Sequence, residues 1–271
     1  MSQSESTNAS LVYEAKAPLA LEQLGLSVAQ AHLDSACQRA AAESWSYSHF
    51  LGYLLEGELQ ERQRRTVAAI LRFARFPYLK RLSGAPEKEE GFNFDAQPGL
   101  DRRLIEELAT GRFLHEGRNV VLLGPPGVGK THLAIALGVV TAELGHRVYF
   151  TSVLEMARRL NKALAENRLH REMSNLTRPK LLIIDEVGYL KLEPSQASLL
   201  FQVICARYER QGALILTSNK AFGEWSEVFG GDAVMASAAL DRLLHRATVI
   251  NIRGESYRLK EKRQAQGSAN A

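Results

Sequence analysis

Apolar residues in the first third of the chain recur at helical spacing. LALEQLGLSVAQAHLDSACQRAAAE predicts one or two helices, and SYSHFLGYLLEGELQERQRRTVAAILRFARF predicts two more or one broken one. No strand-like stretch interrupts them, so Leu11–Leu82 is expected to form a small all-helical domain. At Ser83–Gly99 (SGAPEKEEGFNFDAQPG) the periodicity gives way to glycine, proline and charge, the composition of a linker. Beyond it, short apolar runs alternate with helical segments of roughly ten residues or more. The runs Asn119–Leu123, Arg147–Thr151, Leu181–Asp185, Ala213–Ser218 and Thr248–Ile252 predict five strands. Such alternation predicts an α/β fold, a parallel sheet with helices on both faces. The expected layout is a helical domain with its linker over residues 1–93, an α/β domain over 94–262 and a flexible tail over 263–271.

With 45% hydrophobic and 24% charged residues, the 271-residue chain has the make-up of an ordinary globular protein. Net charge is only +4, but the pI near 9.1 and locally concentrated basic residues leave nucleic acid open as a partner. Cys37 and Cys205 lie far apart and show no metal-ligand spacing, so a reducing cytoplasm is the expected setting. The opening MSQSESTNAS lacks the basic and apolar regions of a signal peptide, and no apolar run is long enough to span a bilayer.

One apolar run feeds a motif. LLGPPGVGKTHLA (Leu122–Ala134) fits G-x-x-x-x-G-K-[ST], the phosphate-binding pattern, between a predicted strand and a predicted helix. Its glycines permit close backbone approach, and its amides, aided by the helix N-terminus, would face phosphate oxygens. The candidate nucleotide contacts are Gly124, Pro125, Pro126, Gly127, Val128, Gly129, Lys130, Thr131 and His132. Lys130 would reach the outer phosphates of ATP, and the Thr131 hydroxyl would ligate Mg²⁺. In LLIIDEVGYL (Leu181–Leu190) a buried strand ends in two acids. Asp185 is then a second Mg²⁺ ligand, and Glu186, one residue beyond the strand end, is placed to polarise the attacking water. LILTSNK puts Asn219 at the end of the next strand, within reach of the γ-phosphate or that water. ALDRLLHRATVINI sets Arg242 and Arg246 one turn apart before the last strand, where an arginine either acts on a neighbouring subunit's nucleotide or is simply solvated.

Two basic sets are candidates for DNA. Arg62, Arg64, Arg65, Arg72, Arg75, Lys80 and Arg81 have no acid among them, and the first five share one side of a helical wheel. In MARRLNKALAENRLHR, Arg158, Arg159 and Lys162 cluster, with Glu155 and Glu166 on the same side. Each set reads either as a solvated basic face or as a phosphate contact; Arg62, Arg65 and Arg72 in the first and all three cations in the second are the candidate contacts.

Taken together, GPPGVGKTHLA, LLIIDEVGYL, LTSNK, DRLLHR and GESYRLK resemble the AAA+ ATPases of the DnaC/IstB group, over roughly Phe94–Lys260, and within it the IstB-type helpers of insertion-sequence transposition. The resemblance implies a P-loop AAA+ domain without the usual C-terminal helical lid. It implies ATP hydrolysis by Lys130, Thr131, Asp185 and Glu186, with Asn219 as sensor, Arg242 as the finger and Arg258 supplying part of the sensor contact of the missing lid. It also implies a homo-oligomer with ATP at subunit interfaces, binding to DNA of little sequence preference, and a transposase partner. A replicative helicase loader of the DnaC type is the alternative. A P-loop kinase for a small molecule is a third reading, which the SNK strand end, the late arginines and the added helical domain oppose.

Overall fold

The five apolar runs form the strands β1 (Asn119–Leu123), β2 (Val148–Ser152), β3 (Leu181–Val187), β4 (Ala213–Ser218) and β5 (Ala247–Asn251) of a computed structural model. The structure describes residues 16–84, 91–254, 256 and 257. All strand pairs are parallel, in the order β2-β3-β4-β1-β5. Helices among the described residues include α1 (Ser27–Ala42), α2 (Tyr47–Phe73), α3 (Arg102–Ala109), α4 (Arg112–His115), α5 (Lys130–Glu143), α6 (Val153–Ala165), α7 (Leu169–Thr177), α8 (Pro194–Glu209), α9 (Trp225–Val228) and α10 (Ala233–Leu244).

Side chains alternate across a strand, and here both faces are apolar. Val121, Leu182, Ile184, Leu214 and Leu216 pack with Met156 and Leu160 of α6, Leu200 and Val203 of α8, and Leu243 of α10. Val120, Leu122, Leu181, Ile183 and Ile215 pack with Ile105 and Leu108 of α3 and Leu133 and Leu137 of α5. The expected three-layer α/β fold is the one observed. β3 departs from the expected end at Asp185. It runs on to Val187, with a register shift against β4 between Ile184 and Val187.

The chain divides into two compact units after Ala68, ahead of the boundary expected at residue 93. The reason is hydrophobic. Ile70, Leu71, Ala74, Phe76, Leu82 and Phe92 all belong to the core of the α/β unit. The Ala74 carbonyl also accepts the Phe150 amide of edge strand β2 at 2.8 Å. In the first unit, Ala29, Ala36 and Leu54 form a small core. Buried Glu58 of α2 accepts the Val28 and Ala29 amides at 2.9 and 3.4 Å, satisfying the open N-terminus of α1.

Arg207 of α8 is fully buried. Its guanidinium donates to the carbonyls of Thr177, Pro179, Lys180 and Ala213, pinning the end of α7 and the starts of β3 and β4. Burial pushes its pKa down to about 10, so it stays charged at neutral pH. Arg207→Met should leave these carbonyls without their donor and lower stability by about 3 kcal/mol or more. Urea unfolding of the full chain measures it. Among the described residues no helix is long and apolar enough to cross a membrane, and Cys37 and Cys205 are free thiols.

Candidate nucleotide site

The loop between β1 and α5 is shaped by positions that exclude a side chain. Gly124 has φ +149°, and a Cβ there would lie 2.3 Å from the Ile252 carbonyl oxygen. Gly129, at φ +95°, heads α5 with no side chain to cap it, and a helix N-terminus of this kind is suited to an anion. The Gly124 amide donates to the Ser218 carbonyl at 3.2 Å, fixing the loop to the end of β4. Lys130 Nζ donates to the Gly124 and Pro125 carbonyls at 2.7 and 2.8 Å, which holds the ammonium over the loop.

Asp185 and Glu186 stand beside this loop. Asp185 is buried, and Thr131 Oγ1 donates to its carboxylate, 3.0 and 3.1 Å from the two oxygens. These are hard oxygen donors of the kind a divalent cation takes. The Glu186 side chain is exposed and its backbone is left-handed, φ +63°. Both acids line a cavity of about 510 Å³ with Thr131, Ser152, Arg75 and Arg159. Asn219 is exposed immediately after β4, next to the Ser218–Gly124 contact. The loop, both acids and Asn219 thus meet at the carboxyl ends of three neighbouring strands, where open α/β sheets bind ligands.

His132 lies at the edge of this group. Its Nε2 is 3.1 Å from the Arg81 carbonyl, and its ring meets Phe92 edge-on at 5.2 Å. Burial pushes its pKa below the ordinary histidine value. Phe92 also covers Gly129, where a Cβ would lie 2.8 Å from the ring. The Tyr257 amide donates to the Gly127 carbonyl at 3.0 Å. Phe92, Tyr257 and Thr217, the last bonded to Asp185, were not expected at the site. Thr217 left a trace in the sequence as a polar residue ending an apolar run, and Tyr257 lies within GESYRLK. Arg258, Lys260 and the tail lie outside the described residues.

Arg242 stands elsewhere. Its Nη1 donates to the Ala238 carbonyl at 2.8 Å, and its guanidinium lies over the Phe201 ring at 5.5 Å. With Arg246, His245 and Tyr208 it lines a cavity of about 230 Å³ beside Asn119, the first residue of β1. The phosphate loop begins at the other end of that strand, roughly 15 Å away at the usual rise per residue.

Both basic sets need correction. α2 ends at Phe73, and Arg75 follows it with φ +62°, off the helical face assigned to it. Arg64 and Arg65 pair with Glu61 at 2.7 and 2.6 Å, and Arg62 approaches Glu58 at 3.8 Å, so acids one turn back serve these cations. Arg72 is exposed, with its guanidinium near the Phe73 ring. In the second set, Arg158 is exposed and paired with Glu155. Arg159 turns inward, bound to Glu172 and the Tyr149 hydroxyl, and only 17% of its side chain is exposed. Lys162 joins Arg75, Arg159, Arg168 and Arg171 around a cavity of about 350 Å³ that also holds Glu166 and Glu172.

Residues 19–265 match the IstB-like ATP binding protein family. The chain is 48% identical over 234 residues to the ATP-binding protein of insertion sequence IS21 from Pseudomonas aeruginosa, covering 86% of this chain and 85% of that one. It is 44% identical over 240 residues to the ATP-binding protein of insertion sequence IS5376 from Geobacillus stearothermophilus, covering 89% and 92%. Among solved structures, the crystal structure of the DnaI is similar in fold, with TM-score 0.51, 21% identity, and coverage of 69% of this chain and 94% of that one.

Proposed function

For a chain that belongs to the IstB-like ATP binding protein family, we propose an AAA+ ATPase of the cytoplasm that assembles with ATP between subunits, binds DNA with little sequence preference, and assists a transposase. The observation that carries the reading is the contact of Thr131 with buried Asp185 beneath the uncapped start of α5, with Glu186 open to the same cleft. The loop amides and Lys130 bind the phosphates of ATP. Thr131 and Asp185 fit Mg²⁺ taken with phosphate oxygens and water. Among the described residues no group of three His, Cys, Asp or Glu offers a dedicated metal cage. Bound there, Mg²⁺ neutralises charge on the phosphates. Glu186 orients the attacking water and draws its proton, and Asn219 bonds the γ-phosphate. Arg242, at the end of β1 away from its own phosphate loop, acts on a neighbour's nucleotide.

The names of the relatives, all belonging to insertion sequences, support a transposase over a helicase as the partner. The likeness to DnaI extends to fold alone. The cations around Lys162 outnumber the acids there and support phosphate contact. DNA affinity measured across a salt series tests this. Neutralising Lys162, Arg168 and Arg171 should weaken binding to all sequences alike and reduce the salt slope by about two units, one counterion each for Lys162 and Arg171, since Arg168 already pairs with Glu166. Neutralising Arg62, Arg65 and Arg72 should change the slope less, because two of these arginines already face acids. An unchanged slope in the first variant, with ATP binding intact, would remove DNA from this face.

A further inference from the structure

We propose that Thr217 is a positioning residue for hydrolysis, its hydroxyl holding Asp185 and Glu186 in the one backbone arrangement that lets both carboxylates enter the same cleft. The inference rests on the ATPase reading above. In a regular strand two successive side chains face opposite sides of the sheet. Asp185 and Glu186 are successive residues of β3, yet both line the cavity beside Thr131. The register explains how. Ile184 pairs with Leu216 and Val187 with Ser218, so two residues of β3 oppose the single residue Thr217 of β4. That is a β-bulge, and it re-aims the side chains it contains.

A bulge takes an amide out of the ladder, and a buried amide needs a partner. The Glu186 amide finds it in Thr217 Oγ1, at 3.0 Å. The same hydroxyl donates to Asp185 Oδ1. Its one proton and one of its lone pairs are thereby both used, the first on the metal-holding carboxylate and the second on the backbone of the water-directing residue. Thr217 itself is buried, 1% exposed, so water does not compete for either bond. Glu186 adopts φ +63°, a conformation that a non-glycine residue keeps only where its surroundings impose it.

The test compares Thr217→Val, which keeps the shape and removes the hydroxyl, with Thr217→Ser, which keeps the hydroxyl. Thr217→Val should bind ATP without Mg²⁺ within about twofold of the parent, lose the affinity gained on adding Mg²⁺, and turn over roughly tenfold to a hundredfold slower at unchanged KM. Thr217→Ser should restore most of the turnover. Hydrogen exchange supplies a readout independent of activity: the Glu186 amide should be protected in the parent and in Thr217→Ser, and exchange faster in Thr217→Val. Parental turnover in Thr217→Val, or a Thr217→Ser variant as slow as a misfolded or inactive Thr217→Val, would overturn the assignment. Rapid exchange of the Glu186 amide in the parent would overturn it as well. If the parent chain itself turns over no ATP, the ATPase reading fails, which is a different result from an active parent with an active valine variant.

Discussion

Lys130→Ala is expected to bind ATP at least about a hundredfold more weakly than the parent chain. An ammonium bonded to phosphate in a partly desolvated loop contributes roughly 1.5–3 kcal/mol per charge-assisted bond, and Lys130 sits where it can make more than one. The loop should survive its loss. Gly124 is tied to Ser218 and Gly127 to Tyr257 by backbone bonds in which Lys130 takes no part. Titration with a fluorescent ATP analogue measures the affinity, and a melting curve checks the fold. Near-parental affinity would contradict the assignment of the loop. The variant has a second use. Its Arg242 is intact while its own site is empty, so mixing it with Arg242→Ala should recover part of the turnover if Arg242 acts across a subunit boundary. Failure at every ratio, with mixed assembly demonstrated, would move the finger to Arg246 or place the contact within one subunit.

Glu186→Gln should bind ATP and barely hydrolyse it. The amide keeps the length and planarity of the side chain and loses its basicity, a change worth about 10²–10⁴ in rate where a carboxylate acts as general base. The substitution leaves Asp185, Thr131 and the Thr217 hydroxyl in place. ATP-dependent assemblies on DNA should therefore accumulate, since a nucleotide that favours the assembled form is no longer consumed. Single-turnover hydrolysis separates this from a binding defect. Turnover close to that of the parent would exclude Glu186 as the residue that activates water.

What the sequence made legible was local. Asn119–Leu123 and Ala213–Ser218 form strands with the expected bounds, because uninterrupted apolar runs between turn residues leave few alternatives. The phosphate loop is legible because its glycines, lysine and threonine sit at fixed separations along one segment. What was not legible depends on pairing between segments. The bulge at Asp185 and Glu186 exists only in the register of β3 against β4. Arg159 turns inward because Glu172, on another helix, meets it there. Arg65 carries a partner because Glu61 lies just upstream of the basic stretch considered alone. Likewise, the segment around Ile70, Ala74, Phe76 and Leu82, with Phe92, has few of the marks of an α/β core, and these residues enter that core through contacts made far along the chain.

This last point bears on how the protein can be cut. A fragment beginning at residue 94, the start suggested by composition, would strip Ile70, Leu71, Ala74, Phe76 and Phe92 from the apolar layer against α5. It would also leave the Phe150 amide of β2 without the Ala74 carbonyl, on an edge strand able to recruit another chain. Such a fragment begins inside the fold and would be prone to aggregate, however complete its motifs. An expression boundary for the nucleotide-binding unit belongs at or before Ala69, where compact packing begins.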